Sequence, residues 1–216
     1  MRRAAFIAFR GAAAAGLLLA LQTAWWLVLV GAGCILAAWF YTGGRNPYGY
    51  RGWGEAAVFV FFGLVAVLGT EYTQAGRVSL AGLAVAAGTG AISASVNLAN
   101  NIRDIPSDAA AGKVTLAVRL GSARARRLFV GLTLAPFAVS LLLGLAYPLA
   151  LAGLLALPLA LQGVRAVRGG AAGRVLIPVL GLNGRAMLGW AVLTALALWQ
   201  SGQLALTRTF RLPAGA

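Results

Sequence analysis

Apolar residues run along this chain in blocks of about twenty, and polar residues collect between the blocks. Seven blocks stand out, roughly at 4–21, 24–41, 54–74, 78–102, 124–144, 147–166 and 182–203. A helix needs about 20 residues to cross a hydrocarbon slab about 30 Å thick. Backbone groups in lipid must bond internally, so each block predicts a transmembrane helix. Barrel strands alternate over short segments, and long unbroken Leu/Ala/Val/Gly runs are the wrong pattern for them. The expected fold is therefore all-α, a polytopic membrane bundle of about seven helices in one domain, 1–216. Short breaks at Gln22–Thr23, Ala75–Arg77 and Ala146–Tyr147 predict antiparallel neighbours, and longer polar connections cover 42–53, 103–123 and 167–181.

Composition strengthens the membrane reading. Hydrophobic residues make up 61% of the 216 and charged residues 10%, with a mean hydropathy of +0.85. A soluble domain carries about 25% charged residues. The net charge of +14 does not point to nucleic acid, because the arginines punctuate apolar runs instead of lining one face. With the N-terminus in the cytoplasm and the spans alternating, fifteen of the 18 basic residues fall on the cytoplasmic side. Only Arg77, Arg208 and Arg211 fall outside, a strong positive-inside bias. A multi-pass protein of the cell membrane is expected, with membrane lipid as its surroundings. The basic, apolar start resembles a signal peptide, but no small-residue cleavage site follows, so a retained first helix is expected. Trp25 and Trp26 are placed at the outer interface, and Trp39, Tyr41 and Trp53 at the inner one. The small-residue run over 82–95 predicts close helix packing.

Several chemistries drop out. There is no histidine, which removes Ser-His and zinc-hydrolase sites. Cys34 is the only cysteine and lies in an apolar run. Gly88 and Gly90 lack the βαβ context of a dinucleotide fingerprint.

One stretch is conspicuously polar. Residues 97–121 hold Asp104 and Asp108, half of the four acids, and Lys113, the only lysine. Asn97, Asn101, Asp104 and Asp108 are spaced 4, 3 and 4 apart, which lines them along one helical stripe. Pro106 disfavours an unbroken helix there, so the helix is expected to end near Arg103 with a turn bringing in Asp108. Two carboxylates one turn apart repel unless a cation lies between them, and Mg²⁺ commonly shares such oxygens with substrate phosphates. Arg103, Lys113 and Arg119 flank the acids, and Arg45 and Arg51 occupy the 42–53 connection. Arginine grips phosphate with a planar fork. Tyr41, Tyr48 and Tyr50 could face a developing cation or stack on an aromatic ring. Asn97 costs energy inside a span, which marks a cavity or a partner, and Asn183 and Arg185 show the same feature more weakly. Glu55 reads as a first-turn acid favoured by the helix dipole, and Glu71 as interfacial at the outer end.

Two segments resemble a known family. "NNIRDIPSDAAAGKVTLAVRLG" resembles the second Asp-rich motif of the UbiA-type intramembrane aromatic prenyltransferases. "YTGGRNPYGYRGWGEAAVFVFFGLVAVLGT" resembles a loop and helix of the branch that acts on 1,4-dihydroxy-2-naphthoate in menaquinone synthesis. The resemblance implies a nine-helix fold in which Mg²⁺ bridges Asp-rich motifs to a polyprenyl diphosphate. Ionisation leaves an allylic cation, the aromatic ring attacks it, and CO₂ is lost to give demethylmenaquinone. Carried over by position, Asp104 and Asp108 are the metal-binding, catalytic acids, with Asn97 and Asn101 in support. Arg103 and Lys113 are the diphosphate contacts, and Arg45, Tyr48, Tyr50 and Arg51 line the substrate side. Val114 departs from the family, which has a basic residue there. No first Asp-rich motif of NDxxD type is found, and the chain begins where the third family helix would begin. The expectation is a chain lacking two helices and half the metal site, with little prenyl transfer of its own. The alternatives are a related prenyltransferase with another aromatic acceptor, or a non-catalytic remnant or small transporter. Coupled transporters place their sites near the midplane, whereas these acids lie at a membrane face.

Overall fold

The computed structural model describes residues 2–209, with side chains described for 3–203. Every regular element in it is helical. Helix α1 spans Arg2–Gln22 and α2 spans Leu27–Thr42. Helix α3, Gly54–Ala75, is wound as a π-helix through its middle, Phe59–Leu68. Helix α4 is Leu80–Arg103, α5 the short Ile105–Ala110, and α6 Leu116–Gly144. Helix α7, Pro148–Arg168, begins with a 3₁₀ stretch, Pro148–Ala156. Helix α8 is Ile177–Thr209. Six of these helices are long and apolar enough to cross a membrane, and the 16-residue α2 is a shorter apolar helix beside them. Among the described residues the seven predicted spans thus appear as six long helices and one short one.

The boundaries moved where local backbone chemistry intervenes. The span expected at 124–144 starts at Leu116, because Thr115 caps it by accepting a hydrogen bond from the Val118 amide. It turns sharply at Gly121 (φ 71°, ψ 161°), a conformation that favours glycine. The connections 42–53 and 167–181 contain single 3₁₀ turns, Tyr48–Arg51 and Gly173–Leu176. Arg211 lies outside the described residues, as do the side chains of Arg2 and Arg208.

Helices α4, α6, α7 and α8 form the core. Leu98, Ala99 and Ile102 of α4 pack with Ala125 and Phe129 of α6, Val164 and Val167 of α7, and Val179 of α8. A second cluster holds Ile92, Phe137, Ala156, Ala160, Ala186 and Trp190. Polar ties cross both clusters. Asn183 Nδ2 donates to Ser95 Oγ (2.9 Å) and Thr133 Oγ1 (3.1 Å), and Trp190 Nε1 donates to Ser140 Oγ (2.9 Å). Asn183 is thus a buried tie between three helices, while Arg185 is exposed and bonds only the Gly181 carbonyl of its own helix. The small-residue run of α4 lets α3 approach closely, since a Cβ on Gly63 would lie 2.5 Å from Gly90 Cα.

Helices α1 and α2 form a peripheral hairpin, joined by Phe6 and Phe9 against Trp39. The polar connections share one end of the bundle. Val114 N donates to Tyr50 O (2.9 Å), and Arg126 donates to the carbonyls of Val167 and Ala171. Trp26 packs on Tyr72 (5.1 Å) at the opposite end. There Glu71 is not simply interfacial. One carboxylate oxygen accepts from the Ser79 amide at the start of α4, and the other is buried without a partner. Trp25 and Trp53 are strongly exposed. Tyr41 is not a belt residue: it is half-buried and turns inward.

Candidate functional site

The 42–53 connection supplies one wall of the site. Pro47 enters extended and Gly52 (φ 80°) leaves, with the 3₁₀ turn between them. Tyr48 Oη donates to Ala37 O (2.9 Å), which pins the turn onto α2. Its ring meets Tyr41 edge-on at 5.4 Å. Burial pushes the Tyr48 hydroxyl above its ordinary pKa. Tyr50 reaches the second connection through its carbonyl on Val114 N and its ring under Lys113 Nζ (4.7 Å). Arg119 lies against Gly52, with Nε 3.0 Å from where a Cβ would project. Arg45 and Arg51 are exposed and stay outside this cluster.

The second wall is the end of α4. The helix stops at Arg103, Asp104 leaves helical geometry (φ −97°, ψ 7°), and Pro106 opens α5 where its missing N–H costs nothing. Asp108 N still donates to Asp104 O (2.8 Å), so the two acids remain one turn apart despite the break. Each acid meets one cation. Arg103 grips Asp104 through Nε and a terminal nitrogen, both at 2.7 Å. That grip holds the Asp104 carboxyl below the usual carboxylate range. Asp108 is buried beside Lys113 Nζ (3.5 Å), and its carbonyl accepts from Lys113 N (2.9 Å). No group of three metal-ligating side chains occurs among the described residues. The donor set is two carboxylates on a polar face, with basic side chains alongside. That chemistry fits a hard divalent cation completed by phosphate oxygens and water.

Sequence reading missed Glu55. It does lie in the first turn of its helix, but it is only 4% exposed and bonds across to α4. Asn101 Nδ2 donates to Glu55 Oε1 at 2.6 Å. Glu55 Oε2 and Asn97 Nδ2 are both buried without partners. A Cβ built on Gly54 would lie 3.2 Å from both Asn97 Nδ2 and Tyr41 Oη, so these groups crowd one spot. The predicted Asn97–Asn101 stripe therefore meets a carboxylate from another helix as well as the acids beyond its own end. The available signal was scarcity: with four acids in 216 residues, one at a helix end deserved a search for its partner.

Two apolar cavities adjoin this cluster. One of about 400 Å³ lies between α3, α4 and α8, lined by Val58, Phe62, Val96, Asn97, Asn100 and Met187 among others. The other, about 620 Å³, separates α2 from α3 and runs along Cys34, Ala38, Phe61 and Ala66 to Tyr41 and Tyr48. Amides and tyrosines at the polar end of long apolar space suit an amphiphile with a polar head.

Fold and site together define a polytopic membrane protein with an acidic and basic cluster at one end and apolar cavities between its helices. The model of the UbiA prenyltransferase family matches residues 1–172, and the chain belongs to that family. The 1,4-dihydroxy-2-naphthoate octaprenyltransferase of Mycobacterium tuberculosis is 60% identical over 186 residues, which is 86% of this chain and 64% of that protein. The Mycobacterium leprae enzyme of the same name is 52% identical over 201 residues, 93% of this chain and 68% of that protein. The Escherichia coli enzyme of that name is 45% identical over 100 residues, 46% of this chain and 32% of that protein. This chain thus spans a little under two thirds of the M. tuberculosis protein's length. No solved structure matches it significantly.

Proposed function

We propose that this bundle serves the transfer of a polyprenyl group from an allylic diphosphate to 1,4-dihydroxy-2-naphthoate. CO₂ and pyrophosphate are lost, and the hydroquinone form of demethylmenaquinone is the immediate product. The observation that carries the reading is the paired acids Asp104 and Asp108, each beside a cation, just beyond the end of the helix whose Asn97 and Asn100 line an apolar cavity, in a chain 60% identical to an enzyme of that name.

Mg²⁺ is the proposed cofactor, held by Asp104 and Asp108, where it would neutralise charge growing on the leaving diphosphate. Arg103 and Lys113 are the proposed diphosphate contacts, and the exposed Arg45 and Arg51 add positive charge on the loop outside the cluster. Tyr48 lines the larger apolar cavity and could face the developing allylic cation, while the Tyr50 ring holds Lys113 Nζ beside Asp108. The apolar walls around Val58, Phe62 and Val96 keep water from quenching it. Residues 1–216 are proposed to form one domain that supplies one acidic jaw of the metal site, in the cell membrane, with the basic loops in the cytoplasm.

The test is binding of farnesyl diphosphate to the chain in lipid nanodiscs, with and without Mg²⁺. The expected result is Mg²⁺-dependent binding that falls at least about tenfold in Asp104→Asn and in Asp108→Asn, the loss expected when one charge-assisted contact goes. In a form extended to the relatives' length, the same substitutions should abolish turnover. Binding that ignores both Mg²⁺ and both substitutions would overturn the reading.

A further inference from the structure

The mechanism above leaves two acids without work, and of these Glu71 lies at the opposite end of the bundle while Glu55 lies near the site. Glu55 is the least exposed ionisable group named here, at 4%, and among the described residues no salt bridge reaches it. A carboxylate buried without a cation is costly. Asn101 satisfies one oxygen, and the other has no well-formed hydrogen bond, although the Asn97 side chain lies close to the carboxylate. Beside it, the Asn97 amide nitrogen is likewise buried and unpartnered. Folded proteins leave few such groups orphaned. Here an acceptor and a donor are orphaned together, on two facing helices, with Tyr41 Oη alongside.

Their position narrows what could complete them. Glu55 and Val58 fall at i and i+3 in the α-helical start of α3, before its π-helical stretch begins, and so share one face. Val58, Phe62 and Asn97 line the 400 Å³ cavity, so Glu55 stands at the polar end of that face. Asn97 precedes Asp104 by seven residues, which is about 10 Å along a helix. An allylic carbon is bonded directly to the diphosphate, so a ring that attacks it must lie deeper than the acids by a similar step. The orphaned pair sits at that depth.

We propose that Glu55 and Asn97 form the recognition site for the aromatic acceptor: Glu55 Oε2 accepts a hydrogen bond from the ring hydroxyl beside the attacked carbon, and Asn97 Nδ2 donates to the neighbouring oxygen of the acceptor. The proposal rests on the prenyl-transfer reading and adds a residue to its chemistry. When the ring carbon that bears the carboxylate bonds to the allylic carbon, the C–O bond to diphosphate breaks and its electron pair leaves with the diphosphate. The hydroxyl proton passes to Glu55, and the O–H pair becomes the π bond of a ring ketone. When the carboxylate leaves as CO₂, its bonding pair restores the aromatic ring, and the ketone oxygen takes the proton back from Glu55. The proton is borrowed and returned, so no external acid or base is consumed.

Binding tests this without requiring turnover. Calorimetry would compare 1-hydroxy-2-naphthoate with 2-naphthoate, which lacks the hydroxyl, on the wild-type chain and on Glu55→Gln. The glutamine keeps an oxygen for Asn101 and places an amide where the free oxygen was. A hydrogen bond to a charged acceptor should favour the hydroxylated ligand by about tenfold or more in the wild type. In Glu55→Gln that preference should fall below about twofold, with 2-naphthoate binding little changed. Full preference retained by a folded Glu55→Gln would overturn the proposal. Equal binding of the two ligands by the wild type would overturn it with no variant needed. Binding of neither ligand, although farnesyl diphosphate binds, would also overturn it, while loss of farnesyl diphosphate binding would remove the prenyl-transfer reading beneath it.

Discussion

Gly63→Ala is the sharpest test of how the bundle holds its site together. A Cβ at Gly63 would lie 2.5 Å from Gly90 Cα, 2.6 Å from Ala86 O and 2.8 Å from Gly90 N. Ordinary contact begins near 3.4 Å, so α3 and α4 must part by about 1 Å at the crossing. The obstacle is backbone, which cannot swing aside as a side chain can. Overpacking costs about 1–3 kcal/mol, and a backbone obstacle belongs at the upper end. Alanine's better helix propensity offsets about 1 kcal/mol. The net loss should be about 2 kcal/mol. Gly131→Ala is the control: it is also helical, has no atom within 4 Å of its added Cβ, and should gain up to about 1 kcal/mol. The two variants should therefore differ by about 3 kcal/mol, more than a hundredfold in the folding equilibrium. Unfolding in mixed micelles of rising SDS content, followed by the fluorescence of the tryptophans, measures it, and the buried Trp190 reports on the core. Glu55 lies on the same helix, so parting at Gly63 should also lengthen its bond to Asn101 and weaken hydroxynaphthoate binding. A Gly63→Ala protein as stable as Gly131→Ala would refute the close crossing.

Arg126→Ala removes two charge-assisted bonds to the carbonyls of Val167 and Ala171 and should cost about 2 kcal/mol by the same unfolding measurement. Arg126→Lys should recover less than half of that, since a point charge cannot span both carbonyls. Val114 is 45% exposed and bonds Tyr50 only through its backbone. Val114→Arg should therefore shift stability by less than about 0.5 kcal/mol and tighten Mg²⁺-dependent farnesyl diphosphate binding. Arg103→Gln should raise the Asp104 titration midpoint, followed by carboxyl ¹³C shifts, back to the usual carboxylate range. Because the folded-state value is depressed, the pair's stabilisation is present above that range and lost as pH falls through the depressed value. An unchanged midpoint in Arg103→Gln would show that Arg103 is not its cause.

The membrane spans were legible because lipid imposes one rule on every segment: enough apolar helix to cross, with backbone bonds kept inside. Boundaries slipped where a few residues set the backbone locally, as Thr115 does by capping a helix eight residues before the hydropathy rises. The acidic stripe was legible for a different reason. Asn97, Asn101, Asp104 and Asp108 are neighbours in sequence, so spacing alone predicts their proximity. Even the break at Pro106 preserved it, because Asp108 N bonds back to Asp104 O across the helix junction. Glu55 was invisible by that logic, since Asn101 is 46 residues away and no periodicity links two helices. Tyr41 failed for the same reason: its aromatic character matches a lipid belt, and only the approach of Gly54 and Asn97 turns it inward. What sequence does record is the imbalance. A chain with 18 basic and four acidic residues cannot leave an acid in an apolar span by default. Each such acid implies a partner on whichever segment the topology brings to the same end. For Glu55 the connections 42–53 and 103–123 meet at that end, and the amides of α4 are the polar groups just inside it. Applied before any coordinates, that pairing rule would have selected Asn97 and Asn101 as the partners of Glu55 as well as the supports of Asp104.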